Sequence, residues 1–182
     1  MTQVGHTLTG VSIGVLCLPE SHSPRGKAAH LILFGLVANI PDFGLPSWGH
    51  QRYDISHSLF VNSFIILLLV LCLAIWDKPR RRIGGWGVIL GGSLAWLSHL
   101  LLDSFYNHGH GVAIFWPFSD AHLTLPIPWF SVVYKSPPPL TWETARIYAI
   151  ELVCYGIVLL MAIGVRRSGL IERLAQLFLV AS

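Results

Sequence analysis

Long apolar runs separated by short polar clusters dominate this chain. Ile55 to Trp76 is 22 residues without Asp, Glu, Lys or Arg, and Ile83 to Leu102 is 20. At about 1.5 Å of helical rise per residue, each is long enough to cross roughly 30 Å of hydrocarbon. Ile147 to Val165 forms a third run, interrupted only by Glu151 one turn from its start. Two earlier runs, Thr7 to Leu18 and Ala28 to Ile40, hold 12 and 13 residues, short of the usual ~20. The pattern predicts an all-α, polytopic membrane helix bundle of five transmembrane segments. The first two are short and form an antiparallel pair buried against the longer three.

Between positions 104 and 144 the pattern changes. Pro117, Pro126, Pro128 and the triplet Pro137, Pro138 and Pro139 are interleaved with Trp116, Phe118, Trp129, Phe130 and Trp142. Proline at that density forbids a regular helix, so a long aromatic loop outside the membrane is expected. From Leu170 onward, Leu170, Ile171, Leu174, Leu177 and Phe178 fall on one side of a helical wheel, with Glu172, Arg173 and Gln176 on the other. That spacing predicts an amphipathic surface helix at the C-terminus. There is no internal repeat, and residues 1–182 read as one domain.

Composition agrees with a membrane protein. Of 182 residues, 53% are hydrophobic and only 12% charged, about half the ~25% charged share of a soluble domain. The same numbers exclude a disordered chain, a collagen and a coiled coil. Seven Trp, five Tyr and nine Phe suit aromatic belts at a bilayer surface. The net charge of +3 is scattered between apolar runs rather than along one stripe, so no nucleic acid partner is expected; the lipid bilayer is. Cys17, Cys72 and Cys154 lie in apolar stretches without metal spacing and read as small buried hydrophobes. No basic stretch precedes the first apolar run, so a removed signal peptide is not expected.

Placing the basic residues gives an orientation. With five crossings, one side receives Arg25, Lys27, Lys78, Arg80, Arg81, Arg82, Arg166, Arg167 and Arg173, and the other Arg52, Lys135 and Arg146. The positive-inside rule puts the richer side in the cytoplasm. The N-terminus and the aromatic loop then face outward.

The polar residues gather at one depth. His6 opens the first run, Asp42 closes the second, His57 opens the third, and His99 and Asp103 close the fourth. Alternate crossings reverse direction, so all five reach the outer layer. His99 and Asp103 are four apart and share a helix face. Imidazole nitrogen with carboxylate oxygen suits zinc, and also manganese or iron. Taken singly, each has a plainer role: an interfacial His, a turn at Asp42, an N-cap at Asp54. Five at one depth favour a divalent metal site, with zinc first. Asp54, three residues before His57, could orient a water or take its proton. Asn107, His108, His110, Asp120 and His122 follow in the loop; of these, His108 and His122 are the better candidates for a second metal. His22, His30 and His50 read as unrelated to the cluster.

At these residues the sequence resembles the YdjM-type inner-membrane, metal-dependent hydrolases. The pieces are Gly5-His6-Thr7, Ile40-Pro41-Asp42, Ser56-His57-Ser58, His99-Leu100-Leu101-Leu102-Asp103 and Trp116-Pro117-Phe118-Ser119, covering roughly residues 1 to 120. The order also resembles zinc-dependent phospholipases C and P1-type nucleases. That likeness implies that Asp42, His57, His99 and Asp103 hold one zinc, with Asp103 bridging toward a second held partly by His6. It further implies hydrolysis of a phosphoester; the expected outer-face position and a loop whose Trp116, Phe118, Trp129 and Phe130 could cover an amphipathic substrate suit a lipid or lipid-linked one at the inner membrane. Two features differ: the chain begins Met1-Thr2 where those enzymes carry a mature N-terminal Trp, and their later His and Glu ligands have no spacing match. One or two metals are therefore expected.

Three other classes compete. A metal-ion or proton transporter needs polar residues along a path to both faces, whereas Phe64 to Trp76 is wholly apolar. A haem protein would pair histidines without needing Asp42 and Asp103. A non-catalytic metal-binding membrane protein would use the same ligands. HExxH and GxSxG are absent, so nothing supports a zincin or serine hydrolase on those motifs.

Overall fold

The structure is a computed structural model that describes residues 2–19, 23–45, 47–48, 52–76, 78, 83–106, 111–132 and 139–170. Among them are six α-helices: α1 (Gln3–Cys17), α2 (Pro24–Val37), α3 (Arg52–Ser56), α4 (Leu59–Ile75), α5 (Trp86–Ser104) and α6 (Trp142–Arg167). A 3-10 turn, Ile40–Phe43, follows α2. The all-α expectation holds; the only strand-like feature among the described residues is one antiparallel bridge, Val112 with Leu123. His22, His50, Asn107, His108, His110 and the tail beyond Leu170 lie outside the described residues.

Helix α1 packs against α2, α5 and α6. Its glycines explain why so short a helix can take that place. A Cβ at Gly10 would sit 2.4 Å from the Phe34 carbonyl oxygen, and one at Gly14 would meet Phe34 and Leu31. The backbones of α1 and α2 therefore approach closely. Contacts climb α1 while descending α2, so the two are antiparallel, as the sequence suggested. Phe34, Ala38, Val88 and Ala95 are buried where α2 and α5 meet. A second cluster stacks Tyr106 on Phe130, ring centroids 4.8 Å apart, with Tyr155 beside them.

Helix lengths change the picture of five crossings. Two helices, α5 with 19 residues and α6 with 26, are long and apolar enough to span a bilayer. Helix α4 has 17 residues, α1 15 and α2 14. The third apolar run is shorter than its 22-residue sequence because the helix breaks at His57 and Ser58. There the Ser58 hydroxyl caps the Val61 amide, and the Leu59 amide donates to the Ile114 carbonyl of the aromatic loop. Exposed Leu67, Leu68 and Leu71 on α4, and Val153, Ile157 and Leu160 on α6, are surfaces for lipid rather than water. The cysteines are not buried as expected: Cys72 is exposed, and Cys17 and Cys154 are half-buried.

The aromatic loop is strapped to the bundle. The Leu125 and Ile127 amides donate to the Ser104 and Phe105 carbonyls, and the Ser58 hydroxyl donates to the Trp116 carbonyl. Phe118 packs edge-on against Phe60 of α4.

Candidate metal centre

The centre is assembled from three of these elements. The turn after α2 carries Asp42, the break between α3 and α4 carries His57, and one face of α5 carries His99 and Asp103. One ligand atom from each lies within 4.8 Å of all the others. His57 Nε2 is 3.3 Å from His99 Nε2 and 3.1 Å from Asp103 Oδ2. His99 Nε2 is 3.4 Å from that same oxygen. Asp42 Oδ1 stands 3.8 Å from His57 Nε2 and 3.5 Å from His99 Nε2.

The opposite edges of the two imidazoles fix their tautomers. His99 Nδ1 lies 2.8 Å from the Ala38 carbonyl oxygen. A carbonyl only accepts, so Nδ1 carries the hydrogen and donates it. His57 Nδ1 is held in the same way by the Tyr53 carbonyl and the Ser56 hydroxyl, while the Tyr53 ring stacks on the imidazole at 4.0 Å. In neutral rings both Nε2 atoms then present lone pairs to each other and to two carboxylates. Acceptors facing acceptors in a buried site repel unless a cation lies among them. Nitrogen and oxygen ligands at about 2.0–2.1 Å from a tetrahedral zinc stand roughly 3.3 Å apart. The four side chains therefore fit a divalent metal, and carbonyl-anchored histidines are the usual outer support of such a site.

His6 adds a second half. Its ring stacks on that of His99 with centroids 3.6 Å apart and planes 12° apart. Its Nε2 lies 3.1 Å from Asp103 Oδ1, yet both ring nitrogens are buried without a hydrogen-bond partner among the described residues. Asp103 thus offers one oxygen to His57 and His99 and the other to His6, as a bridging carboxylate would.

Access is from one direction. The side chains of His57, His99 and Asp103 are at most 4% exposed, but Asp42 is 34% exposed.

A family description, YdjM inner membrane protein, matches residues 1–170. The chain belongs to the YdjM inner membrane protein family. It is therefore an inner-membrane protein, as its apolar runs imply. No curated protein and no solved structure matches it.

Other candidate residues of this YdjM-family chain fall outside the four-ligand group. His122 Nε2 lies 3.6 Å from Asp54 Oδ1, each side chain about a third exposed. The structure joins Asp54 and His122 to each other rather than to the buried histidines. His30 bonds the Gly26 and Ile83 carbonyls, apart from the centre. Phe130 is buried against Tyr106 and cannot cover a substrate, whereas Phe118 and Trp129 are exposed.

Sequence reasoning missed the supports. Asn62 donates to the Ser56 and Ser58 carbonyls that flank His57 and accepts from the Trp96 indole. Asn39 donates to Thr7 and to the Gly35 carbonyl, tying α1 to the chain just before Asp42. The available signal was an amide within an apolar run, where a polar side chain must find partners.

Proposed function

We propose that this protein is a multi-pass, metal-dependent hydrolase of the inner membrane that cleaves a phosphoester in a lipid or lipid-linked substrate. The supporting observation is the convergence of Asp42, His57, His99 and Asp103 within 4.8 Å. Zinc is the proposed metal because two imidazoles and two carboxylates at these separations suit its tetrahedral geometry. A bound zinc would polarise a phosphoryl oxygen and, where a water takes a fifth position beside the four side chains, would lower that water's pKa toward about 7.

The chain's own residues divide the remaining work. His57 and His99 keep their Nε2 lone pairs inward because carbonyls hold Nδ1. Asp103 turns its other oxygen toward His6, and these two side chains would help hold a second metal. The exposed side of Asp42 admits the substrate headgroup. Asp54, oriented by His122, takes the proton released on attack. In the proposed topology all five apolar segments cross, the shorter ones with their polar flanks at the interface, and the centre faces outward. Phe118 and Trp129 then meet the substrate at headgroup depth.

The test is turnover of phospholipids and lipid-linked phosphates by zinc-reconstituted protein, beside an Asp42→Ala control. Product from wild type and none from the control is expected. Equal traces from both would overturn the phosphoester reading and move a metal-ion or proton transporter, or a structural metal site, ahead of it. Cleavage of an ester or amide instead would keep the metal mechanism and replace the substrate class.

A further inference from the structure

An apolar groove of about 240 Å³ runs between α2, α4 and α5. Val37 and Ile40 line it from the α2 side, Ile66 and Leu69 from α4, and Ile89 and Gly92 from α5. One end comes within about one helical turn of residues that carry the metal ligands. Ile40 is two residues from Asp42, and Trp96, also in the lining, is one helical turn from His99. Trp96 further touches the His57 support through its hydrogen bond to Asn62. From Trp96 the lining continues along α5 to Val88, a run of ~12 Å at 1.5 Å per residue.

The polar atoms of the lining are already engaged. The Trp96 indole donates to Asn62 and the Ser93 hydroxyl donates to the Ile89 carbonyl. The groove thus offers its occupant hydrocarbon contact alone. A volume of about 240 Å³ spread along ~12 Å is far narrower than a helix about 10 Å across, whereas an alkyl chain fits. We propose that the groove holds the single alkyl chain of a phosphorylated lipid whose headgroup lies at the metal centre. This rests on the phosphoester reading above and narrows its substrate class. The nearness of Ile40 to Asp42 and of Trp96 to His99 selects a substrate chain over bulk lipid, which has no reason to be held in register with the ligands.

The test reads chain binding directly. Full-length, zinc-loaded protein in phosphatidylcholine vesicles is photolabelled with a single-chain alkyl phosphate bearing a mid-chain diazirine, and labelled peptides are mapped. Severalfold more label is expected at Ile66, Leu69 and Ile89 than at Val153 and Leu160 on the exposed face of α6. Excess dodecyl phosphate should remove the groove label and spare the α6 label. A Cβ at Gly92 meets nothing within 4 Å, so Gly92→Leu should grow into the groove, cut the groove label severalfold and leave zinc content unchanged.

Equal labelling of groove and α6, or groove label insensitive to competitor, would mean bulk lipid only and overturn the proposal. The competition needs no variant, so it decides the matter even if Gly92→Leu folds poorly. Competed groove label without turnover of any phosphoester would keep the chain site and reject the hydrolase. Turnover without groove label would do the reverse.

Discussion

Glu151 and Thr2, 149 positions apart, are joined twice: the Glu151 carboxyl accepts from the Thr2 amide at 3.0 Å and from the Thr2 hydroxyl. It also accepts from the Gly5 amide at 3.2 Å. An acidic side chain from α6 thereby serves the unpaired amides at the start of α1. His6 follows directly, so this contact sets where its ring meets His99 and Asp103. Glu151→Ala should strand buried amides at a cost of about 1–3 kcal/mol. A lower Tm in detergent is expected, with metal lost from the His6 half before the His57 and His99 half. An unchanged Tm would assign the anchoring of α1 to packing alone.

Gly10→Ala tests the close approach of α1 and α2. The added Cβ would lie 2.4 Å from the Phe34 carbonyl oxygen and 2.8 Å from the Ala38 Cβ. Neither a backbone oxygen nor a helix-borne methyl can swing aside, so the helices must part, at about 1–3 kcal/mol. Ala38 also holds the His99 ring through its carbonyl. Both Tm and zinc affinity should fall. Gly92→Ala, where a Cβ meets nothing within 4 Å, should change neither.

Legibility in the sequence followed periodicity and failed where partners are distant. His99 and Asp103 share a face because four residues make about one turn, and nothing tertiary is needed to see it. The alternation of run ends predicted one layer for His6, Asp42 and His57, and the structure has each of them beside His99 or Asp103. The break at His57 and Ser58 was hidden, because it depends on the Ile114 and Trp116 carbonyls of the loop. The anchoring by Glu151 was hidden for the same reason: its three donors belong to the other end of the chain. Phe130 resembled its loop neighbours in sequence, and only packing against Tyr106 separates it from the exposed Trp129.

Orientation is open to labelling. With Cys17, Cys72 and Cys154 replaced by Ala, Ser131→Cys should react with an impermeant maleimide on intact cells. Ser168→Cys, beside Arg166 and Arg167 at the end of α6, should react only after permeabilisation. The basis is the nine-to-three division of Lys and Arg. Reaction at position 168 from outside would invert the topology and place the metal centre in the cytoplasm.

Metal content, measured on detergent-purified protein, separates ligands from supports. His99→Ala or Asp103→Ala removes an atom that stands 3.1–3.5 Å from at least one other ligand atom, and stoichiometric zinc should disappear while membrane insertion persists. Insertion depends on the apolar runs, which these changes leave intact. His6→Ala should cost at most the metal on its own side of Asp103, because His57 and His99 face the other oxygen. Asn62→Ala leaves every ligand in place but takes its amide donor from the Ser56 carbonyl beside His57, and one of two donors from the Ser58 carbonyl. Loss of such outer support typically weakens metal binding 10–100-fold, so this variant should bind zinc at high concentration and lose it to a chelator sooner than wild type. Full zinc retention in His99→Ala would remove the four-ligand centre from the account. Full retention in Asn62→Ala would show instead that the Tyr53 carbonyl and Ser56 hydroxyl orient His57 unaided.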